Sequence, residues 1–332
     1  MKAYRSVFFE IVGYCNANCA YCQSGSNKIG RGKAIDVKTF RSAIERLIDK
    51  GLVDGRSTMY LFNWGEPFLH PDINSIIGVI NEFNLKYAIS TNGSVVPKID
   101  GEFVKNLDNI IFSLSGFSDG SYKRVHGFEF ERIKNNILDI KTKCRQAGYK
   151  KEMSAAYHLY KFNVGEMKSC EAFADRNGFI FNPCCAMINH WWLLNKYVGG
   201  GLSASERESI KNDLIFDEQV EDVMKRSPAG YRCPQFDFLT IDESANLVVC
   251  CQLARDHEEY RVGNILTDDI DTILKKRESC NVCRDCIRTG LAFYINQSLK
   301  SPEMYRPSMN QRIIFLRHVL KRIGRRLFWW RG

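Results

Sequence analysis

The sequence has no uninterrupted apolar stretch of about 20 residues, which excludes a membrane-spanning helix. It also lacks a signal peptide, because Met1 to Arg5 run directly into a strand-like segment. The 13 cysteines are odd in number and concentrate in two groups. Without a secretion signal, this usage favours metal ligation over disulfides. We therefore expect a protein of a reducing cytoplasm.

The first group is Cys15, Cys19 and Cys22, in a Cys-x3-Cys-x2-Cys spacing. No fourth cysteine follows before Cys144, and the spacing differs from the Cys-x2-Cys-x2-Cys-x3-Cys run of ferredoxins. A structural zinc site takes four protein ligands, whereas three thiolates leave one metal position open for chemistry. A zinc knuckle and a ferredoxin-like cluster remain the alternatives from spacing alone.

Short β-branched and aromatic runs alternate with helical patterns six times before residue 182. This alternation predicts right-handed βαβ units and a parallel sheet, in an α/β fold built as a partial (β/α)6 TIM-like barrel. Reactive residues of such barrels lie at the carboxyl ends of strands. The polar residues at those positions are the three cysteines, then Glu66, then Ser90 and Asn92, then Ser113 and Ser115.

These features resemble the radical S-adenosylmethionine (SAM) superfamily. In that family the three cysteines hold three irons of a 4Fe-4S cluster, and SAM chelates the fourth iron. The resemblance implies that a low-potential donor such as flavodoxin or ferredoxin reduces the cluster. SAM is then cleaved to methionine and a 5′-deoxyadenosyl radical. Tyr21 matches the aromatic position beside the adenine.

The remaining SAM contacts are implied by resemblance as well. Trp64-Gly65-Glu66-Pro67 resembles the Gly-Gly-Glu-Pro motif that binds the SAM amino group, although Gly-Glu-Pro alone is also an ordinary turn. The segments containing Ser90 and Asn92, and Ser113 and Ser115, resemble those that contact the ribose and the methionine carboxylate.

Two departures leave the carboxylate contact open. Ser115 stands where many relatives have Asp, and His126 stands where many have Arg. Arg124 or Lys123 are alternative partners, and His126 could equally be a surface histidine. Asn163 and Glu166 resemble the polar residues that follow the fifth strand.

Cys184 and Cys185 follow the sixth strand. If either thiol points into the barrel, it could give a hydrogen atom to a substrate radical. The alternative is a buried apolar cysteine, which is common. Trp191, Trp192 and Tyr197 are expected to wall the substrate side, and Gly199 to Gly201 to act as a lid hinge.

The second cysteine group resembles the auxiliary-cluster domain called SPASM, or its shortened twitch form. The resemblance places 4Fe-4S ligands at Cys233, Cys250, Cys283 and Cys286, with Cys251 and Cys280 as alternates. Six cysteines are too few for two further clusters, so one is expected. A structural zinc ribbon is the alternative.

The tail, residues 301–332, carries most of the net charge of +9. From Ser308 to Gly332 there are seven basic residues and no acidic one. Ile313, Leu316, Leu320, Ile323 and Leu327 recur at helical spacing before Phe328-Trp329-Trp330. A basic amphipathic helix of this kind adsorbs to membrane surfaces, so a peripheral position at the inner membrane is one expectation. A helix packed on the core is the other.

We therefore expect a barrel over 1–220, a SPASM/twitch-like module over 221–300 and the tail over 301–332. The hypothesis is a radical SAM oxidoreductase that abstracts a hydrogen atom from a small molecule or sugar, with the auxiliary cluster handling the substrate electron. No leader-peptide-binding domain is expected before Cys15, which ranks a ribosomal peptide maturase or epimerase second. A non-enzymatic iron–sulfur or zinc protein is a remote alternative, and nucleic acid is an improbable partner because no base-stacking aromatics interleave the charges.

Overall fold

One nine-stranded sheet organises the chain. The computed structural model describes residues 3–26, 32–215, 220–253, 260–298, 302 and 305–316. The strands are β1 (Ser6–Phe9), β2 (Thr58–Tyr60), β3 (Lys86–Thr91), β4 (Leu107–Leu114), β5 (Ser154–Leu159), β6 (Ile180–Cys185), β7 (Phe238–Ile241), β8 (Asn246–Val248) and β9 (Arg261–Asn264). They lie in the order β6-β5-β4-β3-β2-β1-β7-β8-β9.

The first six strands pair in parallel, which confirms the α/β barrel-type fold expected from the alternating pattern. The sequence did not reveal that β7 also pairs in parallel with β1, from Ser6↔Phe238 to Phe9↔Ile241. The hairpin-like β8 and β9 then add antiparallel. The second cysteine region therefore shares a sheet with the barrel.

Helices lie between and after these strands within the described residues. They are α1 (Gln23–Ser26), α2 (Val37–Asp49), α3 (Ile73–Glu82), α4 (Gly101–Val104), α5 (Asp119–His126), α6 (Phe130–Gln146), α7 (Met167–Asn177), α8 (Trp191–Val198), α9 (Ala204–Asp213), α10 (Val220–Lys225), α11 (Ile270–Glu278), α12 (Asn281–Arg288) and α13 (Leu291–Ser298). Residues 309–316, the edge helix, are also helical. Within the described residues, every helix is too short or too polar to cross a bilayer.

Strand alternation separates a helix-facing side from a concave side. Phe9 is buried and packs edge-on against Phe40 of α2, with ring centroids 4.9 Å apart. Phe8 points the other way and stacks on Tyr60 at 4.7 Å. Because side chains alternate along a strand, Glu10 shares the concave side with Phe8. Polar residues at the strand ends therefore face the inside of the partial barrel.

Two hydrophobic cores result. The large one lies between the sheet and α2, α3, α6 and α7. The smaller one joins Tyr21, Tyr160 and Trp191 to Val249 and Tyr294. Cys19 packs against this smaller core from the first cysteine group, and Cys250, Cys283 and Cys286 pack against it from the second. An apolar layer therefore separates the two groups.

Hydrogen bonds outside the regular elements fix two of their ends. β1 ends at Phe9, although Glu10 N–H still donates to the Ile241 carbonyl at 2.8 Å. α7 begins at Met167, after a 3₁₀ turn over Lys161–Glu166. Asn163 holds this turn, because its side chain accepts from Tyr160 N–H and donates to the Ser115 and His158 carbonyls.

The edge helix closes the open side of the sheet. Gln311 is only 4% exposed, and its amide oxygen accepts from Phe181 N–H of the edge strand β6 at 2.8 Å. Its amide nitrogen donates to the Phe179 carbonyl at 3.1 Å and to Asp175 at 2.8 Å. A side-chain amide thus replaces a missing neighbouring strand. The rest of the expected tail helix, from residue 317, lies outside the described residues.

We predict that Gln311→Ala lowers the free energy of unfolding by about 1–3 kcal/mol, because it leaves the buried Phe181 N–H and Phe179 carbonyl without partners. Urea denaturation followed by circular dichroism measures the change. Asn310→Ala, at the exposed neighbouring position, is the matched control and should change stability by less than about 0.5 kcal/mol. Equal effects of the two substitutions would contradict the closing role of Gln311.

Candidate active site

The first three cysteines lie in a loop at the carboxyl end of β1, here called the cysteine loop (residues 13–22). Cys22 N–H donates to the Cys19 carbonyl at 3.2 Å, and Asn18 N–H donates to the His126 carbonyl at the end of α5 at 3.1 Å. Each of the three cysteine residues is partly exposed. Burial raises the pKa of the Cys19 thiol, and repulsion from ionised Cys22 and Cys15 raises it further.

Cys15 is the best supported of the three sulfurs. It accepts hydrogen bonds from Ala17 N–H at 3.5 Å and from the Asn92 side chain at 3.8 Å. Asn92 also donates to the Asn16 side chain at 3.0 Å, which ties the cysteine loop to the end of β3. Burial nevertheless raises the pKa of Cys15 to about 12, with Glu66 and Cys22 adding to the shift. Three thiolates at this position therefore need a cation, and bound metal deprotonates thiols outright.

Glu66 is the buried carboxylate of the site. One oxygen accepts from the Thr91 hydroxyl at 2.8 Å and from Phe68 N–H at 3.1 Å. The other accepts from Asn92 N–H at 2.7 Å. Burial raises the pKa of Glu66 to about 7, although these three hydrogen bonds act in the opposite direction. A cationic ammonium ligand nearby would favour the ionised form.

The turn before Glu66 is held by close backbone approach. A Cβ on Gly65 would lie 1.8 Å from the Val12 carbonyl, so only glycine fits. The Gly65 and Trp64 N–H groups donate to Glu10 at 3.1 and 2.5 Å. Glu10 was not predicted from the sequence, although an acidic residue directly after an apolar strand is the signal that marks it.

Trp64 explains one departure from the family motif. Its indole nitrogen donates to the Cys251 carbonyl at 2.9 Å. The residue that replaces the first glycine of the motif therefore links the SAM-motif turn to the second cysteine group. No glycine could make this contact.

His126 lies inside the fold, only 3% exposed, so the surface alternative is wrong. Burial lowers its pKa to about 3, with His158 adding to the shift, and the ring is neutral at physiological pH. Its Nε2 is 3.1 Å from the Ser115 hydroxyl, which is also 3.4 Å from His158 Nδ1. A neutral imidazole offers a hydrogen bond but no charge, so His126 does not replace an arginine electrostatically.

Arg124 is occupied elsewhere. Its guanidinium pairs with Asp213, the last residue of α9, and lies 4.1 Å from the centre of the Phe162 ring. Tyr21 donates to the same Asp213 carboxylate at 2.8 Å. These contacts fasten α9, the helix after the three glycines, over the cysteine loop.

The other expected contacts divide into two sets. Ser90 and Ser113 face each other at 3.2 Å on the concave side, which suits a pair that binds a diol. Glu166 instead accepts from Ser118 and Ser121, both at 2.6 Å, and so fixes the start of α5. Asn163 holds backbone only, as described above. Neither Asn163 nor Glu166 has a ligand-facing role in these contacts.

The two cysteines of β6 face opposite sides of the sheet. Cys184 is in register with His158, and Cys185 is in register with the fully buried Leu159. Residues in register share a face, so Cys184 points to the concave side and Cys185 to the helices. Only Cys184 therefore has the orientation that a substrate-facing thiol needs.

The second cysteine group surrounds a cavity, here called the auxiliary site. Its lining includes all four expected ligands, Cys233, Cys250, Cys283 and Cys286, and the cavity is partly open to solvent. Cys251 instead donates to the Gln235 side chain at 3.3 Å, and Cys280 hydrogen-bonds to Cys283. The four preferred residues therefore line one cavity, the alternate Cys280 lies in contact with Cys283, and the ligand set stays a prediction.

The residues around this cavity suit an anionic thiolate cluster. Burial raises the pKa of Cys233, and hydrogen bonds from Gln235 N–H and the Asn296 side chain act in the opposite direction by stabilising the thiolate. Backbone N–H groups of Gln252 and Leu253 act likewise on Cys250. Trp191 lines the cavity, and its buried indole N–H has no partner among the described residues. The N–H groups that hydrogen-bond to Cys233 and Cys250 would stabilise bound thiolates, and the Trp191 N–H could donate to a cluster sulfide.

No three His, Cys, Asp or Glu side chains converge tightly enough to chelate a single metal ion in the part of the chain that the structure describes. The four cysteines of the auxiliary site are instead spread around a cavity.

Comparison with known proteins identifies the first cysteine region. The family model described as the Radical SAM superfamily matches residues 9–166. A UPF0026 protein of Helicobacter pylori strain J99 is 32% identical over 221 residues, which are 65% of this chain and 70% of that protein. The antilisterial bacteriocin subtilosin biosynthesis protein AlbA of Bacillus subtilis is 30% identical over 97 residues, or 29% of this chain. The chain spans only 20% of AlbA.

The fold has solved counterparts. The crystal structure of Streptococcus suis SuiB bound to its precursor peptide SuiA has a TM-score of 0.56 at 15% identity. The match covers 93% of this chain and 76% of SuiB. At this identity the likeness describes the fold alone.

We predict that stability of the SAM-free protein falls by about 2–3 kcal/mol as the pH rises from 5 to 8. The reason is that the pKa of Glu66 is about 7 in the folded chain and near 4.5 in the unfolded chain. Between these values the unfolded chain has already lost the proton that the folded chain retains, so rising pH favours unfolding. Urea denaturation across this range measures the slope. Glu66→Gln should remove most of it, whereas Glu82→Gln, at an exposed position, should not. An unchanged slope in Glu66→Gln would refute the assignment.

Proposed function

This chain belongs to the radical SAM superfamily, and we propose on that premise that Cys15, Cys19 and Cys22 hold the 4Fe-4S cluster that binds SAM. Three thiols at the carboxyl end of β1, beside the buried Glu66, are the observation that carries the proposal. When bound, this cofactor pair supplies the one-electron cleavage of SAM to a 5′-deoxyadenosyl radical. A low-potential flavodoxin or ferredoxin is the proposed electron donor.

The chain's own residues bind and orient SAM. The Glu66 carboxylate and the peptide groups next to Gly65 suit the SAM ammonium, since anionic and carbonyl oxygens accept its hydrogens. The Ser90 and Ser113 hydroxyls suit the ribose. Tyr21, stacked on Tyr160 at 6.3 Å, gives the adenine an apolar boundary. Held in this way, the reacting carbon and the substrate gain the orientation that makes hydrogen abstraction effective.

Cys184 is the proposed residue nearest the substrate. It lies on the concave side beside His158, in the same region as Ser115. Its thiol is positioned to donate a hydrogen atom if the reaction is an epimerisation. In a net oxidation the thiol has no such role, and the auxiliary site would instead accept an electron from the substrate radical.

The auxiliary site supports an oxidoreductase. We assign its 4Fe-4S ligands as Cys233, Cys250, Cys283 and Cys286, because these four line one cavity. The smaller core contacts both this site and the cysteine loop. Such a site suits removal of the second substrate electron in a dehydrogenation or bond formation.

A polypeptide is the proposed substrate class. AlbA is named for bacteriocin biosynthesis, and SuiB is seen bound to a precursor peptide. These relatives reverse the ranking from sequence, in which a small molecule or sugar came first. Mass spectrometry after anaerobic incubation with SAM, dithionite and a peptide library decides between them. Dehydrogenated or epimerised peptide supports the proposal, whereas turnover only with a parallel set of amino sugars contradicts it.

The cysteine assignments predict separable losses. Cys19→Ala should abolish 5′-deoxyadenosine release yet keep about four irons per chain, because the auxiliary site is intact. Cys286→Ala should lose about four irons and still cleave SAM. Iron analysis and chromatography of the nucleoside after anaerobic reconstitution measure both. Cys251→Ala and Cys280→Ala are the controls and should retain about eight irons. Loss of a cluster in either control would correct the ligand set.

We also propose that the tail contacts an anionic membrane surface. The large apolar side chains exposed in the described part of the chain are all on the edge helix: Met309, Ile313, Phe315 and Leu316, at 40–70% exposure. Met309, Ile313 and Leu316 form one stripe, which the sequence continues with Leu320, Ile323 and Leu327 between basic residues. An apolar stripe flanked by cations suits a lipid interface better than nucleic acid.

Removing tail charge should weaken binding to phosphatidylglycerol-containing vesicles. We expect about a hundredfold loss for Arg322→Gln/Arg325→Gln/Arg326→Gln, since each basic residue contributes about 1 kcal/mol. Vesicle co-sedimentation at constant salt measures it. Arg56→Gln/Lys98→Gln/Lys225→Gln removes the same charge from exposed positions elsewhere and should bind normally. Equal losses in both variants would show a net-charge effect only, and no wild-type binding would refute the contact.

A further inference from the structure

Arg277, in the last turn of α11, is a buried cation. It is only 2% exposed and is the largest of the fully buried side chains. Taking a guanidinium out of water costs several kcal/mol unless hydrogen bonds and an opposite charge compensate. What compensates Arg277 therefore identifies its role.

Its hydrogen bonds join the segments that carry the auxiliary cysteines. Nε donates to the Val249 carbonyl at 2.9 Å, one residue before Cys250. Nη2 donates to the Gln235 carbonyl at 2.5 Å, two residues after Cys233. Arg277 also directly precedes the turn into α12, which carries Cys283 and Cys286. One side chain thus connects all three ligand-bearing segments.

Among the described residues, no Asp or Glu forms an ion pair with Arg277. The described groups whose ionised forms would interact with the guanidinium are Tyr4, Cys250, Cys283 and Cys233. As neutral thiols, the three cysteines supply no counter-ion. As thiolates that hold a metal cluster, they supply one.

We propose that Arg277 is the positioning residue of the auxiliary site, which clamps its three ligand segments and, through its charge, raises the reduction potential of the cluster bound there. The inference rests on the proposed cluster ligation by Cys233, Cys250, Cys283 and Cys286. Reduction adds negative charge to an already anionic group, so a buried cation bonded to the segments that carry its ligands favours the reduced form. Its removal should make reduction harder.

The test uses full-length protein with Cys15→Ala/Cys19→Ala/Cys22→Ala, so that only the auxiliary cluster is present. Arg277→Gln removes the charge and keeps hydrogen-bonding groups, and Arg277→Lys keeps the charge. The readouts are iron and zinc content and the midpoint from a dithionite titration followed by electron paramagnetic resonance. Arg288→Gln is the control, because it removes the same charge from an exposed position two residues after Cys286.

We expect Arg277→Gln to make the midpoint potential of the cluster more negative. The oxidised-to-reduced ratio at a fixed potential should rise at least tenfold, which corresponds to 59 mV for one electron. Arg277→Lys and Arg288→Gln should stay near the parent value. If Arg277→Gln fails to load iron, loading of Arg277→Lys supports the charge role and failure of both overturns it. An unchanged midpoint in loaded Arg277→Gln overturns the inference alone. Zinc instead of iron in the parent overturns the proposed function as well.

Discussion

The parallel pairing of β7 with β1 is the constraint on which the arrangement of both cysteine sites depends. β1 ends at the cysteine loop, its neighbour β2 leads to Glu66, and β7 leads through β8 to Cys250. Because β1, β2 and β7 are parallel, their carboxyl ends lie at one edge of the sheet, whereas β8 runs antiparallel to β7 and leads Cys250 toward the opposite edge. The two sites therefore keep a fixed separation, with the smaller core between them.

Both sites bury ionisable groups that are costly in isolation. Glu10 and Glu66 are satisfied by backbone N–H groups of the turns that they hold, and Arg277 is satisfied by carbonyls of the segments that it joins. Each of these contacts fixes backbone near a cysteine. Stability and site geometry thus rest on the same hydrogen bonds, and a substitution that affects one affects the other.

The sequence was sufficient for the βα alternation and for the spacing of the first three cysteines, because each is a short-range pattern. It was insufficient for contacts between distant segments. Arg124 was a candidate partner for the methionine carboxylate of SAM, but it pairs with Asp213. The two residues are 89 positions apart, and no pattern in the sequence places them together. Glu10, Arg277 and Gln311 were missed for the same reason. His126 needed the fold to show that it is buried. The domain boundaries stay a prediction, since one sheet runs through two of the proposed domains.

The bond from the Trp64 indole to the Cys251 carbonyl gives the protein a mechanical link between its two cysteine regions. Trp64 belongs to the turn that ends in Glu66, and Cys251 follows Cys250. Any movement of this turn on ligand binding would therefore be felt at the backbone beside the second site, and by thermodynamic linkage such an effect would act equally in both directions. The tryptophan in place of glycine thus gives the two cysteine regions a direct contact that glycine could not make.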